Sequence, residues 1–146
     1  MEKLKKFLVD YITNTSAVSD AVLLDKNNFS DTNIYDVDGF NSHIQFRKNQ
    51  YQVQIFSTPP NFIIPEHKHP NVDSFEVYLS GDIDFSLDGS WLSNWDIKDH
   101  TFIDNLFIVQ VQHDAIHGAI FGEDGGRFMS VQHWINKVNP SCVGLD

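Results

Sequence analysis

The segment Ile64 to Asp82, IPEHKHPNVDSFEVYLSGD, places two histidines one residue apart, His67 and His69, between Pro65 and Pro70. Imidazole is the commonest metal-ligating side chain and binds through a neutral ring nitrogen. In an extended strand side chains alternate between faces, so His67 and His69 project to one side, roughly 6.5–7 Å apart along the backbone, and Lys68 to the other. Two rings placed this way can converge on one ion. The flanking prolines restrict the backbone that carries them and put the strand at an edge or a barrel rim. The chain holds seven histidines, so the pair also reads as two surface histidines beside a proline turn. The elements around it decide between the two readings.

Leu4, Phe7, Leu8 and Tyr11 recur at helical spacing, which predicts an amphipathic helix over residues 2 to 12. A second short helix is expected where Ser16 or Ser19 can cap the run AVLL. From about residue 40 the helical period gives way to alternating, β-branched and aromatic segments: HIQF, YQVQIF, NFII, SFEVYLS, DIDFSL, LFIVQVQ, GAIF and RFMSVQHWI. Turn signals separate these eight strands, among them RKNQ, TPPN, LSGD, LDGS and EDGG. Short strands without helical crossovers imply an all-β antiparallel sandwich or barrel such as a jelly roll. The expected organisation is a helical preface over residues 1–40 and a β barrel over 41–146, forming one domain. The stretch DGSWLSNWDIKDHTFIDN exceeds a tight hairpin, and with two tryptophans it reads either as a lid over a pocket or as a surface loop.

A chain of 146 residues buries roughly two thirds of its unfolded surface without help from disulfides or metal, so a bound ion would be functional rather than structural. The net charge of −10 and the lack of a basic cluster argue against nucleic acid or an anionic membrane as partner. No stretch approaches the ~20 apolar residues of a membrane span, and the single cysteine, Cys142, excludes an internal disulfide framework. A cytoplasmic protein whose partners are small molecules or other proteins is expected.

With the strands placed, the chain resembles a small single-domain cupin. The first cupin motif is His-x-His, a few residues, a glutamate, six residues and a glycine, and HKHPNVDSFEVYLSG follows it from His67 to Gly81. The second has a proline-glycine turn and then a histidine, usually followed by glycine. QHDAIHG follows it in part, with Gln112 where the turn proline is expected and Asp114 at the turn glycine. The resemblance implies a double-stranded β-helix, or jelly-roll barrel, and one divalent transition metal on His67, His69 and His117. Fe, Mn, Ni, Zn and Cu all suit imidazole ligands. It also implies a homodimer, which edge strands such as YQVQIF would favour as well.

The glutamate of the motif falls on Ser74, a poor ligand for a divalent ion. Some cupins work with three histidines alone, leaving positions open for substrate and oxygen. Glu76, two residues on and on the same face as Ser74, is the candidate to complete or border the site and to act in catalysis. The opposite register, with the apolar row Phe75, Val77 and Leu79 turned inward, would bring Asp73 in instead. His113 reads as a turn residue, either His133 or its neighbours Gln132 and Trp134 enter the barrel, and His43 and His100 receive no function. Phe62, Phe75, Tyr78, Phe85, Phe107, Phe121 and Phe128 read as core. The chemistry left open is that of a dioxygenase or an isomerase or lyase, with a non-catalytic binding protein as the alternative.

Overall fold

The computed structural model describes residues 2–14, 36–37, 39–48, 50–93, 106–137 and 143–144. Helix α1 (Glu2–Asn14) carries Leu4, Leu8 and Tyr11 on one buried stripe, and Glu2 in its first turn suits the helix dipole. The expected second helix lies outside the described residues, as does His100. Eleven strands follow among the described residues: β1 (Asp36–Val37), β2 (Phe40–Lys48), β3 (Tyr51–Thr58), β4 (Ile63–Lys68), β5 (Val72–Ser80), β6 (Ile83–Leu87), β7 (Ser90–Ser93), β8 (Phe107–Val111), β9 (His117–Phe121), β10 (Gly126–Trp134) and β11 (Val143–Gly144). They form a six-stranded sheet, β1-β2-β3-β10-β5-β8, and a five-stranded sheet, β11-β4-β9-β6-β7. Every pairing is antiparallel.

Three placements differ from the sequence expectation. YQVQIF is not an edge strand, since β3 lies between β2 and β10. The start of the stretch read as a long loop is a tight hairpin: Asp88 and Gly89, both with positive φ, join β6 to β7. The strand carrying His67 is not at an edge either, because β11 pairs with its end through Val143↔Lys68 and Gly144↔His67.

The six-stranded sheet is buried on both faces. Val53, Ile55, Phe75, Val77, Met129 and Val131 point outward and pack under Leu4, Leu8 and Tyr11 of α1. The alternate residues of the same strands point between the sheets. There Tyr78, Phe107 and Phe128 join Phe85, Ala119 and Phe121 of the five-stranded sheet in a second cluster, with Phe121 and Phe128 at 5.8 Å and Tyr78 and Phe85 at 5.9 Å between ring centroids. Among the described residues nothing covers Ile63, Trp91 and Ile120 of the five-stranded sheet in this way, and they are 60%, 56% and 40% exposed. No helix among the described residues is long and apolar enough to cross a membrane.

Leu8 is fully buried between helix and sheet. Leu8→Ala is expected to lower unfolding stability by about 2–4 kcal/mol in urea denaturation. A loss under about 1 kcal/mol would show that α1 does not contribute to this core.

Candidate metal centre

β4 and β9 are neighbours, and their register sets His67 directly opposite His117. Ile64 faces Ala119 and packs into the inner cluster. Regular alternation would send His67, three residues later, to the opposite face. The register shift between Ile64 and His67 supplies the extra residue that turns His67 inward as well. Pro65 sits in this irregularity, where a missing N–H is tolerated. The β4 backbone passes so close to β9 here that a Cβ on Gly118 would lie 2.8 Å from the Ile64 carbonyl oxygen and 3.1 Å from the Glu66 nitrogen. The glycine after His117 is thus the residue that lets the bulge fit. The Ser86 hydroxyl donates to Glu66 Oε1 at 2.8 Å and ties the bulge to β6.

His69 lies just past β4, and two loops hold it beside the start of β9. The Asp114 N–H donates to the His69 carbonyl at 2.8 Å. Asp114, standing where the motif has glycine, takes the left-handed conformation a glycine would take, with φ of 64°. Asp73 Oδ1 accepts from the His113 backbone N–H at 2.8 Å and lies 2.9 Å from His113 Nδ1, so Asp73 and the turn histidine His113 brace this crossing. Asp88 Oδ1 accepts from the Ile116 N–H at 3.0 Å and fixes the residue before His117.

The three rings meet with centroid separations of 4.2 Å (His67–His117), 4.9 Å (His67–His69) and 5.3 Å (His69–His117). One nitrogen from each lies within 4.8 Å of the others. His67 Nδ1 is 2.7 Å from the Pro65 carbonyl oxygen, and His117 Nδ1 is 2.9 Å from that of Ala115. A carbonyl can only accept, so Nδ1 carries the proton in both rings and Nε2 keeps its lone pair for a ligand. Burial above all pushes the His117 pKa down to about 4; the Ala115 carbonyl opposes this and the neighbouring histidines add to it. His117 therefore stays neutral, in its ligating form, through the physiological range. Three converging imidazoles, two of them with the tautomer set by a backbone carbonyl, fit a borderline divalent ion.

Glu76 is not in that cluster. It shares the inner face with Ser74 and is 8% exposed. Its Oε1 accepts from the hydroxyls of Ser74 and Ser130, each at 3.0 Å, while Oε2 is the one buried side-chain polar atom without a partner among the described residues. Burial raises its pKa to about 7 against the pull of those two hydrogen bonds. Asp73 is held at the turn by His113, and Ser74 acts as a donor to Glu76.

Gln132 and Trp134 point inward, whereas His133 turns to the other face and lies 4.9 Å from the Tyr51 ring. His43 stands opposite Ile55, on the face that packs against α1. Phe75 also belongs to that outer core, while Tyr78, Phe85, Phe107, Phe121 and Phe128 fill the inner one and Phe62 borders it. Beside Gln132, which the sequence offered as an inward residue, the inner face carries a polar row that the sequence analysis does not single out, Ser42, Gln52, Gln54 and Ser130, all buried. The alternation Gln52-Val53-Gln54 was its one visible signal, and it reads equally well as a solvent-facing row.

No family model matches the sequence, and no curated protein matches it either. Solved structures do resemble it. KdgF from Halomonas sp. is 14% identical, covering 70% of this chain and 86% of its own, with a TM-score of 0.58. An RmlC-like cupin from Shewanella frigidimarina is 13% identical, covering 72% and 85%, at 0.54. The DMSP lyase DddQ from Ruegeria pomeroyi is 15% identical over 73% of this chain and 51% of its own, at 0.52. At these identities the likeness establishes the fold, a double-stranded β-helix barrel of cupin type.

The raised pKa of Glu76 makes stability depend on pH in a defined direction. The folded state holds this proton more tightly than the unfolded chain, so its stabilising contribution is complete below pH 4.5 and is lost as pH rises through about 7. Compared with Glu76→Gln in chelator-treated protein, the wild type is expected to lose at most about 3 kcal/mol across that interval. Parallel pH profiles of the two proteins in denaturant unfolding would refute the burial of this carboxyl.

Proposed function

We propose that this chain, a protein of cupin fold, holds one divalent transition metal on His67, His69 and His117 and acts on a small molecule bound between its two sheets. The observation that carries this reading is the convergence of three imidazoles, two of them with Nδ1 tied to a backbone carbonyl so that Nε2 is the ligating atom. Bound there, the ion would supply Lewis-acid polarisation of a substrate oxygen or, if redox-active, access to oxygen chemistry. Three protein ligands leave positions for substrate.

The chain's own contribution is positioning, exclusion of water and a proton. Phe85 lies 6.2 Å from the His117 ring, and Leu87 stands opposite His117 on β6, so the histidines sit against apolar walls. We take Glu76 to border the site as a proton donor and acceptor and not as a ligand. Its pKa near 7 suits it to exchange a proton at neutral pH, and a group so tuned supports isomerase or lyase chemistry. A structural neighbour named as a lyase is in keeping with this. We also propose a cytoplasmic homodimer, the state implied by the likeness to small cupins; light scattering that gives the mass of one chain at micromolar concentration would overturn the dimer.

The test of the metal reading is elemental analysis of protein purified without an affinity tag. Close to one transition-metal ion per chain is expected, with none retained in the His67→Ala, His69→Ala double variant, which should still unfold cooperatively because a core of this size does not depend on the ion. Full retention of metal by that variant would eliminate the site.

A further inference from the structure

The inner face of the six-stranded sheet carries a chain of hydrogen bonds with a single open end. The Gln54 amide donates to Ser42, and the Gln52 amide donates to Gln54 Oε1 and, at 3.1 Å, to Gln132 Oε1. Trp134 Nε1 also donates to Gln132 Oε1, at 3.2 Å. The Gln132 amide donates to Ser130 at 3.0 Å, and Ser130, like Ser74, donates to Glu76 Oε1. From Gln52 one branch of donors runs through Gln54 to Ser42, and the other runs through Gln132 and Ser130 to Glu76, whose Oε2 remains unpartnered and buried. The cross-strand registers put these residues in two adjacent rows: Gln54, Ser130 and Glu76 in one, Gln52, Gln132 and Ser74 in the next.

The rows lie toward the histidine end of the barrel. Ser74 stands near the start of β5, just after the His69–Asn71 turn, and pairs with Val111, the last residue of β8 before the turn that leads to His117. The aromatic row Tyr78, Phe107 and Phe128 lies at the other end. Glu76 thus stands on the inner face two residues beyond Ser74, on the sheet that packs against the one carrying His67 and His117, and packed sheets lie roughly 10 Å apart.

We propose that Glu76 Oε2 is the recognition point for a hydroxyl on a small substrate whose other end binds the metal, so that the site selects short, hydroxylated, non-phosphorylated compounds. This rests on the metal reading above. A hydroxyl both donates and accepts, so it satisfies Oε2 whether or not the carboxyl is protonated. A second anionic group is disfavoured: no lysine or arginine is among the buried polar side chains of the described residues, so a negative charge placed beside the Glu76 carboxyl would meet no buried cation there.

The probes are three 2-hydroxy acids that share one chelating end and differ at the third carbon: lactate, glycerate and 3-phosphoglycerate. Each is titrated into Co(II)-loaded protein and followed by the visible absorption of the ion. Glycerate is expected to bind about tenfold tighter than lactate, the value of one hydrogen bond to a buried partner, and 3-phosphoglycerate weaker than lactate. Glu76→Ala is expected to bring glycerate and lactate within about twofold of each other. Glu76→Gln, whose amide can still bond a hydroxyl, is expected to keep the preference, and both variants should take up Co(II) as the wild type does. Equal affinity for the three acids in Co(II)-loaded wild type would overturn the selectivity and leave the metal reading standing. Loss of Co(II) uptake in Glu76→Gln would make Glu76 a ligand and overturn the proposal. Failure of the wild type to take up Co(II) would overturn the metal reading and this proposal with it.

Discussion

The fold rests on burial of both faces of the six-stranded sheet. A sheet whose outer face meets water must put its apolar side chains inward, and its interior then has no room for a polar wall. Here α1 lies across the outer face, and Leu4, Leu8 and Tyr11 meet Val53, Ile55, Phe75, Val77 and Val131 there. Much of the hydrophobic burial in β3, β5 and β10 is therefore made outside the barrel. The alternate positions of the same strands are free to carry Gln52, Gln54, Ser74, Glu76, Ser130 and Gln132 between the sheets. The helix thus determines what the interior can contain, although none of its residues faces that interior.

The five-stranded sheet solves a different problem, which is how to aim three rings at one point. Strand alternation alone would not place both Ile64 and His67 inward, and only a glycine at position 118 allows the irregular β4 backbone to lie against β9. Several braces act on backbone near a histidine, Asp114 on the carbonyl of His69 and Asp88 on Ile116, while the carbonyls of Pro65 and Ala115 hold the rings themselves. Short loops held in this way keep the donor atoms close together, as the proposed metal site requires.

These two sheets also explain what could and could not be read from the sequence. The strands were legible because their β-branched and aromatic runs are separated by turn residues, and His67, His69 and His117 because the spacing of two motifs survives in them. The bulge was not legible, since nothing in the order Pro65-Glu66-His67 distinguishes regular alternation from a shifted register. The register of β5 looked like a choice between the Phe75–Val77 row and the Ser74–Glu76 row because one buried face was assumed; with α1 over the sheet, both rows are buried. In the same way the period of Gln52 and Gln54 does not tell their burial, because a glutamine row enclosed between two sheets has the same period as one in water.

The inner wall is costly by the ordinary measures of stability. Amides and hydroxyls gain little on balance when they exchange water for one another, and a buried carboxyl with an unpaired oxygen loses outright. Phe, Leu or Val at positions 76, 130 and 132 would fill the same space without that cost, as they do at the far end of the barrel, where Tyr78, Phe107 and Phe128 close the core. A network whose members among the described residues are all satisfied except one atom, on the face of the sheet that packs against the strands carrying His67 and His117, is what the proposed recognition of a substrate hydroxyl would account for. On that proposal the polar half of the barrel belongs to the site, and the aromatic half is the structure that holds it.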